Sequence, residues 1–297
     1  LPGRERRAPV TALGEVTVRD LAADDVAAAF RLSRANGWNQ TEADWRFLIE
    51  ENRGRFVAAV RGDALVGTGG AACYSSRLAW VCMILVDAAE RGRGVGSALV
   101  TAVLDRVHGV ETVGLDATPQ GRPVYERLGF AATSSLMRMA GPAAEPGRAR
   151  ATTTMTRSVA AGDLEAILGL DREAFGADRS RVIRWAWSQA PALAWCALED
   201  GQLAGYCLGR HGDRAVHIGP VVARSLPVAR ALVGSAAASV TGRDLMIDVP
   251  VHPPAWAASL QDLGLREQRP FTRMYRAGAR PPGRPDLVLA AFGPELG

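Results

Sequence analysis

The sequence predicts a mixed α/β protein built from two tandem copies of one domain, each with a largely antiparallel central sheet flanked by helices. Three observations carry this. Motifs of the first half return in the second at a nearly constant offset. Apolar runs of strand length alternate with stretches of helical period. A stretch rich in proline, glycine and alanine separates the halves. At 297 residues the chain has room for two domains of about 150 each.

The repeat is visible in three places. Val18-Arg19-Asp20-Leu21-Ala22-Ala23-Asp24-Asp25-Val26 is echoed by Thr156-Arg157-Ser158-Val159-Ala160-Ala161-Gly162-Asp163-Leu164, an offset of 138 from Arg19 to Arg157. Each reads as a short strand, a turn with a capping Asp and a helix start. The same offset relates Arg61-Gly62-Asp63-Ala64-Leu65-Val66-Gly67 to Glu199-Asp200-Gly201-Gln202-Leu203-Ala204-Gly205. Both read as β-hairpins with a charged glycine turn. Leu128-Gly129-Phe130 followed by Leu136 to Met139 is answered by Leu263-Gly264-Leu265 followed by Phe271 to Tyr275. Three echoes in the same order imply a duplicated domain.

These patterns divide the chain into a basic, flexible arm over residues 1–14, a first domain over 15–140, a linker over 141–151 and a second domain over 152–297. The first domain contains a meander of Phe56–Val60, Leu65–Tyr74 and Leu78–Val86, then a helix, the strand Thr112–Asp116, a helix and a closing strand. After the second Pro/Gly-rich stretch, Ala277 to Pro285, the apolar run Leu287–Phe292 is expected to return as a last strand.

Composition narrows the function classes. The net charge of +4 comes from scattered Arg, with no basic block interleaved with aromatics, so a nucleic-acid partner is not expected. No apolar run approaches the roughly 20 residues that cross a bilayer, so no membrane partner is expected either. Leu1–Arg7 is charged and lacks the apolar segment of a secretory signal. Cys73, Cys82, Cys196 and Cys207 form no CxxC pair and sit in apolar runs, as reduced thiols of a cytoplasmic protein would. His211, His217 and His252 lack metal-ligand spacing, and no metal site is expected.

The strongest chemical signal follows the apolar run Met83-Ile84-Leu85-Val86. After Asp87 to Glu90 comes Arg91-Gly92-Arg93-Gly94-Val95-Gly96, then Ser97 to Val107 with Leu99, Val100, Val103, Leu104 and Val107 at helical spacing. Strand, glycine turn and helix in this order build an anion cradle. The first N–H groups of a helix are unpaired and carry partial positive charge. Glycines let the backbone approach a phosphate. Arg91 and Arg93 add charge-assisted contacts. A dinucleotide fingerprint would need GxGxxG within a βαβ unit, and a P-loop would end in Gly-Lys-Ser/Thr; the chain has neither.

The run Val86-x-x-x-x-Arg91-Gly92-x-Gly94-x-Gly96-x-Ala98-Leu99 resembles the acetyl-CoA motif of the GCN5-related N-acetyltransferases (GNAT), and Tyr125-Glu126-Arg127-Leu128-Gly129-Phe130 resembles the closing helix of that family. The resemblance covers about residues 16–140. It implies a splayed sheet in which the strand ending at Val86 parts from Thr112–Asp116 and the pantetheine arm of acetyl-CoA lies in the gap. It further implies backbone contacts to the arm from Ile84, Leu85 and Val86, and a pyrophosphate held by Arg91, Gly92, Arg93, Gly94, Val95, Gly96 and Ser97.

In this family an amine attacks the thioester directly, so its proton must be taken up and the leaving thiolate protonated. The resemblance puts Tyr125 where the family carries the proton donor. Asp116, at the end of its strand, is the first candidate for the base; a turn cap or a water relay are its alternatives. Trp38, Asn39, Gln40 and Trp45 fall where the family covers its acceptor pocket, with Thr41 a helix cap and Asp44 near the capping-box position. They would suit the primary amine of a small polar molecule; the alternative is that the Trp residues pack the helix onto the sheet. Phe271, Arg273 and Tyr275 share one strand face and would line an acceptor pocket or a domain interface.

The second half departs from the motif. Locally aligned, Gly92, Gly94 and Gly96 face Ser225, Pro227 and Ala229, and Leu260 stands for Tyr125. Pro227 has no N–H to offer. The second domain is therefore expected to bind no CoA as the first does and to shape the acceptor site, so truncation after Arg148 is expected to impair acceptor use more than CoA affinity if the isolated domain stays folded. The reading is an N-acetyltransferase, a monomer or homodimer, with acetyl-CoA as co-substrate. Transfer of a longer acyl group, or a CoA-binding scaffold without activity, are the competing readings.

Overall fold

The computed structural model describes residues 12, 13, 15–143, 154–277 and 279–297. Its compact units do not follow the sequence repeat. One is Leu1–Cys73 with Val81–Val110, the other Tyr74–Trp80 with Glu111–Gly297.

In the first unit the chain forms β1 (Ala12–Leu13), β2 (Val16–Asp20), α1 (Val26–Ala35), α2 (Glu42–Glu51), β3 (Val57–Arg61), β4 (Ala64–Tyr74), β5 (Leu78–Val86) and α3 (Val95–Arg106), with the strands ordered β1 to β5. The expected hairpin is present: β3 and β4 pair antiparallel from Val57↔Gly69 to Arg61↔Ala64, around Gly62-Asp63. The spacing predicted for α3 is its buried stripe, with Leu99, Val100, Val103 and Leu104 all buried. Small residues on β4 let the helix approach: a Cβ on Gly67 would stand 2.9 Å from Leu99 Cδ1. The predicted arm over 1–14 falls outside the described residues except for Ala12–Leu13, which pair with Thr17 and Val16 as a strand.

The second unit contains β6 (Thr112–Ala117), α4 (Arg122–Arg127), β7 (Phe130–Pro142), β8 (Thr156–Ser158), α5 (Leu164–Phe175), α6 (Ser180–Gln189), β9 (Trp195–Glu199), β10 (Gln202–His211), β11 (Val216–Ala223), α7 (Leu226–Ala238), β12 (Asp244–Pro250), α8 (Pro254–Gln261), β13 (Arg266–Arg276) and β14 (Val288–Ala290). Its strands run β6-β13-β7-β12-β11-β10-β9-β8, and the first residues of β5 border β6 in parallel, Leu78↔Thr112 to Trp80↔Gly114. The β9–β10 hairpin turns on Asp200 and Gly201, both with positive φ (50° and 77°), as a type I′ turn requires.

This order contains an exchange. β6 and β7 follow each other in the first repeat, yet β13 of the second repeat lies between them. It pairs with β6 from Tyr275↔Gly114 to Thr272↔Ala117 and with β7 from Arg276↔Phe130 to Arg266↔Ala140. β7 in turn pairs with β12 from Leu136↔Pro250 to Pro142↔Asp244. Each repeat's closing strand thus completes the other repeat's sheet. The predicted linker over 141–151 needs correction at its start: Gly141 and Pro142 are strand, because Asp244 and Leu245 take up their backbone. Residues 144–153 lie outside the described residues.

β14 confirms the strand expected near Leu287–Phe292 and has an unexpected place. β11 and β12 are parallel only at Val216↔Leu245 and His217↔Met246. Beyond that, β14 pairs antiparallel with β11 at Val221↔Ala290 and Val222↔Val288, and Ala291 N donates to Asp248 O of β12 at 2.9 Å. The C-terminal segment fills the gap between the two strands. Phe292, Glu295 and Leu296 beyond it are buried, with Leu296 O accepting from the Tyr74 hydroxyl at 2.8 Å and Pro294 O from Trp80 Nε1 at 3.0 Å.

Candidate functional site

In the first unit, β5 reaches the glycine loop through an irregular strand. Met83 has φ +55°, left-handed and costly for a non-glycine residue, and its carbonyl accepts from the Thr68 hydroxyl at 2.8 Å. A residue of this kind re-aims the backbone that follows it, here Ile84 to Val86. Nothing in the sequence marks Met83.

After Val86 the chain is pinned twice. Asp87 N donates to Val66 O at 2.8 Å, and the Asp87 carboxylate caps the following turn by accepting from Ala89 N at 2.9 Å. Gly92 (φ +77°) and Gly94 (φ +83°) are both left-handed, and Gly94 is the N-cap of α3. A Cβ on Gly92 would meet no atom within 4 Å, so the loop presents bare backbone to its surroundings. Arg91, Gly92, Arg93 and Gly94 are exposed, whereas Val95 is buried and anchors the helix start. Arg61 reaches the Glu90 carboxylate at 2.9 and 2.8 Å and holds the residue before the loop. Arg93 lies 3.7 Å from the same carboxylate, and Arg91 donates to Val86 O at 3.2 Å. Exposed N–H groups, two left-handed glycines and two guanidinium groups fit a diphosphate.

The α1–α2 connection carries the predicted acceptor residues. Thr41 caps α2 as expected: its hydroxyl accepts from Asp44 N at 3.3 Å, and the Asp44 carboxylate accepts from Thr41 N at 2.6 Å. Trp38 is half-buried, and Asn39 and Gln40 are buried. Gln40 Oε1 has no hydrogen-bond partner among the described residues. Trp45 is fully buried, with Nε1 donating to Ser33 Oγ at 3.3 Å, so it packs α2 onto α1 and is not a pocket wall. The sequence reading missed Asn36, whose Oδ1 accepts from the Arg91 guanidinium. Asn36-Gly37 signals a turn, but nothing in it names the arginine.

In the second unit, Tyr125 is half-buried on α4, edge-on to Phe130 with ring centroids 6.0 Å apart. The Asp116 side chain is buried, and both its oxygens accept from Arg273, at 2.9 Å from Nε and 2.8 Å from Nη2. Burial pushes the Asp116 carboxyl above its usual range, and Arg273 offsets only part of that rise. Arg273 also stacks on Trp80 at 4.7 Å, and Tyr275 meets the same ring edge-on at 6.0 Å. Arg273 and Tyr275 line a cavity of about 500 Å³. Phe271 does not. It is buried with Leu136 and Ala291, and the Arg138 and Arg269 guanidinium groups stand 5.2 and 4.7 Å from its ring centroid.

The second repeat has no counterpart of the loop. Only Arg224 and Ser225 separate β11 from α7, where Asp87 to Gly94 separate β5 from α3. Ser225 is the N-cap of α7, its Oγ accepting from Val228 N at 3.4 Å. It therefore corresponds to Gly94, a correction to the residue-by-residue alignment. Among the described residues no three His, Cys, Asp or Glu side chains gather as metal ligands, and no helix is long and apolar enough to cross a membrane. Cys82, Cys196 and Cys207 are buried thiols outside any disulfide, and Cys73 is partly exposed.

Two family models, each described as an acetyltransferase (GNAT) domain, match residues 25–146 and 167–290. The chain is 26% identical over 258 residues to the uncharacterized N-acetyltransferase YitH of Bacillus subtilis (strain 168), covering 86% of this chain and 90% of that one. Its fold is similar to a structure from Pyrococcus horikoshii, with TM-score 0.80, 20% identity and coverage of 99% and 100% of the two chains. It is also similar to the GCN5-related N-acetyltransferase from Sphaerobacter thermophilus, with TM-score 0.65, 19% identity and coverage of 89% and 97%. With a family domain matched in each repeat, the chain belongs to the GNAT acetyltransferases as a tandem-domain enzyme of acyl transfer.

Proposed function

We propose that the chain moves the acetyl group of acetyl-CoA to the primary amine of a small polar molecule. The observation that carries this reading is the exposed loop Arg91–Gly94 running into α3, with left-handed backbone at Gly92 and Gly94. Gly92, Gly94, Val95, Gly96 and Ser97 offer backbone N–H groups to the pyrophosphate, and Arg91 and Arg93 supply positive charge. Ile84, Leu85 and Val86, re-aimed by Met83, offer backbone groups to the pantetheine arm. Acetyl-CoA supplies the activated thioester carbonyl.

Tyr125 acts as the proton donor to the leaving sulfur. A phenol O–H is a donor that can serve a developing thiolate. Asp116 was the first candidate for the base. Its two oxygens are both engaged by Arg273, so the pair is better read as a positioning group that fixes the guanidinium, with the amine proton passing to water. Trp38, Asn39 and Gln40 lie on the α1–α2 connection, which Trp45 holds by packing.

The test is calorimetric titration of acetyl-CoA followed by thiol release with a panel of amines. Tight binding with amine-dependent thiol release supports the reading. Binding without release on any amine removes the transferase assignment at this loop.

A further inference from the structure

The cavity of about 500 Å³ in the second unit has a wall chemistry that selects one kind of ligand. Its size is that of a small-molecule site, typically about 300–1,000 Å³. Leu78, Leu136 and Phe175 give it an apolar side, and Arg273, Tyr275 and the exposed Ser134 give it a polar one. Arg273 spends Nε and Nη2 on Asp116, and no described residue accepts from its Nη1. The Tyr275 hydroxyl likewise has no hydrogen-bond partner among the described residues, and burial raises its pKa, so it stays a donor at neutral pH. The stack on Trp80 and the two bonds to Asp116 fix the orientation of the guanidinium before any ligand arrives.

Charge decides what these donors recognise. The Arg273 charge is already matched by Asp116, and Asp286 on the same wall is matched by Arg284 at 2.9 and 2.6 Å. A second carboxylate beside a neutralised pair in a low-dielectric site would give up its hydration without a free counter-charge. A neutral carbonyl oxygen loses far less on burial and is satisfied by two N–H or O–H donors.

We propose that this cavity binds a small amine through an amide carbonyl that accepts from Arg273 Nη1 and the Tyr275 hydroxyl, with an apolar body against Leu78, Leu136 and Phe175. The ligand class is that of amino-acid amides and the N-terminal residues of short peptides. This deepens the acetyltransferase reading and rests on it for the amine.

The experiment titrates the full chain, without CoA, with leucinamide, free leucine and isoamylamine. Leucinamide is expected to bind at least tenfold more tightly than the acid and the plain amine. Tyr275→Phe, which keeps the ring, should cost leucinamide about fivefold, and Ser134→Trp, which fills the cavity from an exposed strand position, should abolish binding. Equal or tighter binding of free leucine, or no loss in Tyr275→Phe, overturns the proposal. Acetyl-CoA is then added. Leucinamide bound in the wild type, lost in Ser134→Trp and never acetylated keeps the cavity and removes the acceptor reading. Acetylation of leucinamide unaffected by either substitution keeps the acetyltransferase and removes the cavity.

Discussion

Arg138 and Asp248 are directly opposed on β7 and β12 and joined by two buried hydrogen bonds, of 2.8 and 2.7 Å. One residue comes from the closing strand of the first repeat, the other from the second repeat. Burial alone would push the Asp248 carboxyl up, but Arg138, helped by His217 at 3.3 Å, holds it well below the usual range. Asp248→Ala leaves a buried guanidinium without its anion and should cost about 3–5 kcal/mol of unfolding free energy, read by chemical denaturation.

The same cluster sets an acid limit. Burial lowers the His217 pKa, so the imidazole is neutral in the fold and gains its proton more readily on unfolding. Its contribution is complete above the unfolded value of about 6.5 and is lost as pH falls from there. Asp248, with a depressed pKa, contributes above its unfolded value of about 3.9 and is lost below it. Thermal melts should fall in two stages, beginning near pH 6.5 and steepening below about pH 4. Asp248→Asn should reduce the second stage, leaving the part that carboxylates such as Asp163, held low by Arg157, contribute.

Gly94→Glu should abolish CoA binding. The substitution forces a side chain onto a left-handed residue and puts a carboxylate beside the phosphates. Gly94→Ala carries the backbone strain alone and should weaken binding about tenfold. Calorimetry distinguishes the two, and normal affinity in Gly94→Glu would remove the loop assignment.

Tyr125→Phe should lower the turnover number by about a hundredfold with little change in CoA affinity, as loss of a proton donor does. The loss should shrink when a thioester with a more acidic thiol is supplied. Unchanged turnover would take the donor role away from Tyr125.

One CoA should bind per chain. In the second repeat the loop is shortened to Arg224 and Ser225, and β14 occupies the gap between β11 and β12. Native mass spectrometry of the saturated protein reads the count directly, and two bound molecules would contradict this account of the second repeat.

What the sequence revealed was local chemistry. The cap at Thr41, the stripe of α3 and the hairpin turns at Gly62 and Gly201 depend on neighbours within a few residues, and each was legible. Strand exchange was not, because β7 and β13 have the same alternating pattern whether they close their own repeat or the other. Arg273 illustrates the limit within the cavity. Its face of β13 could be read from alternation, but its partner Asp116 lies 157 residues away and became visible only through the register Arg273↔Asp116. Met83 left no trace, since a left-handed residue inside an apolar run has no compositional mark.

Truncation after Arg148 therefore tests something other than acceptor shape. It removes β13 from between β6 and β7 and β12 from the far side of β7, leaving one unpaired edge on β6 and two on β7, and the fragment should fail to melt cooperatively. Supplying the remainder as a second polypeptide should restore the transition.

The exchange also bears on inheritance. After a duplication, a copy that no longer handles cofactor would ordinarily be free to erode or disappear. Here the copy with the shortened loop owns β13, without which the first repeat's β6 loses its antiparallel neighbour. Selection on the fold of the first repeat thus reaches the second through the backbone, and the two can diverge in chemistry but not separate.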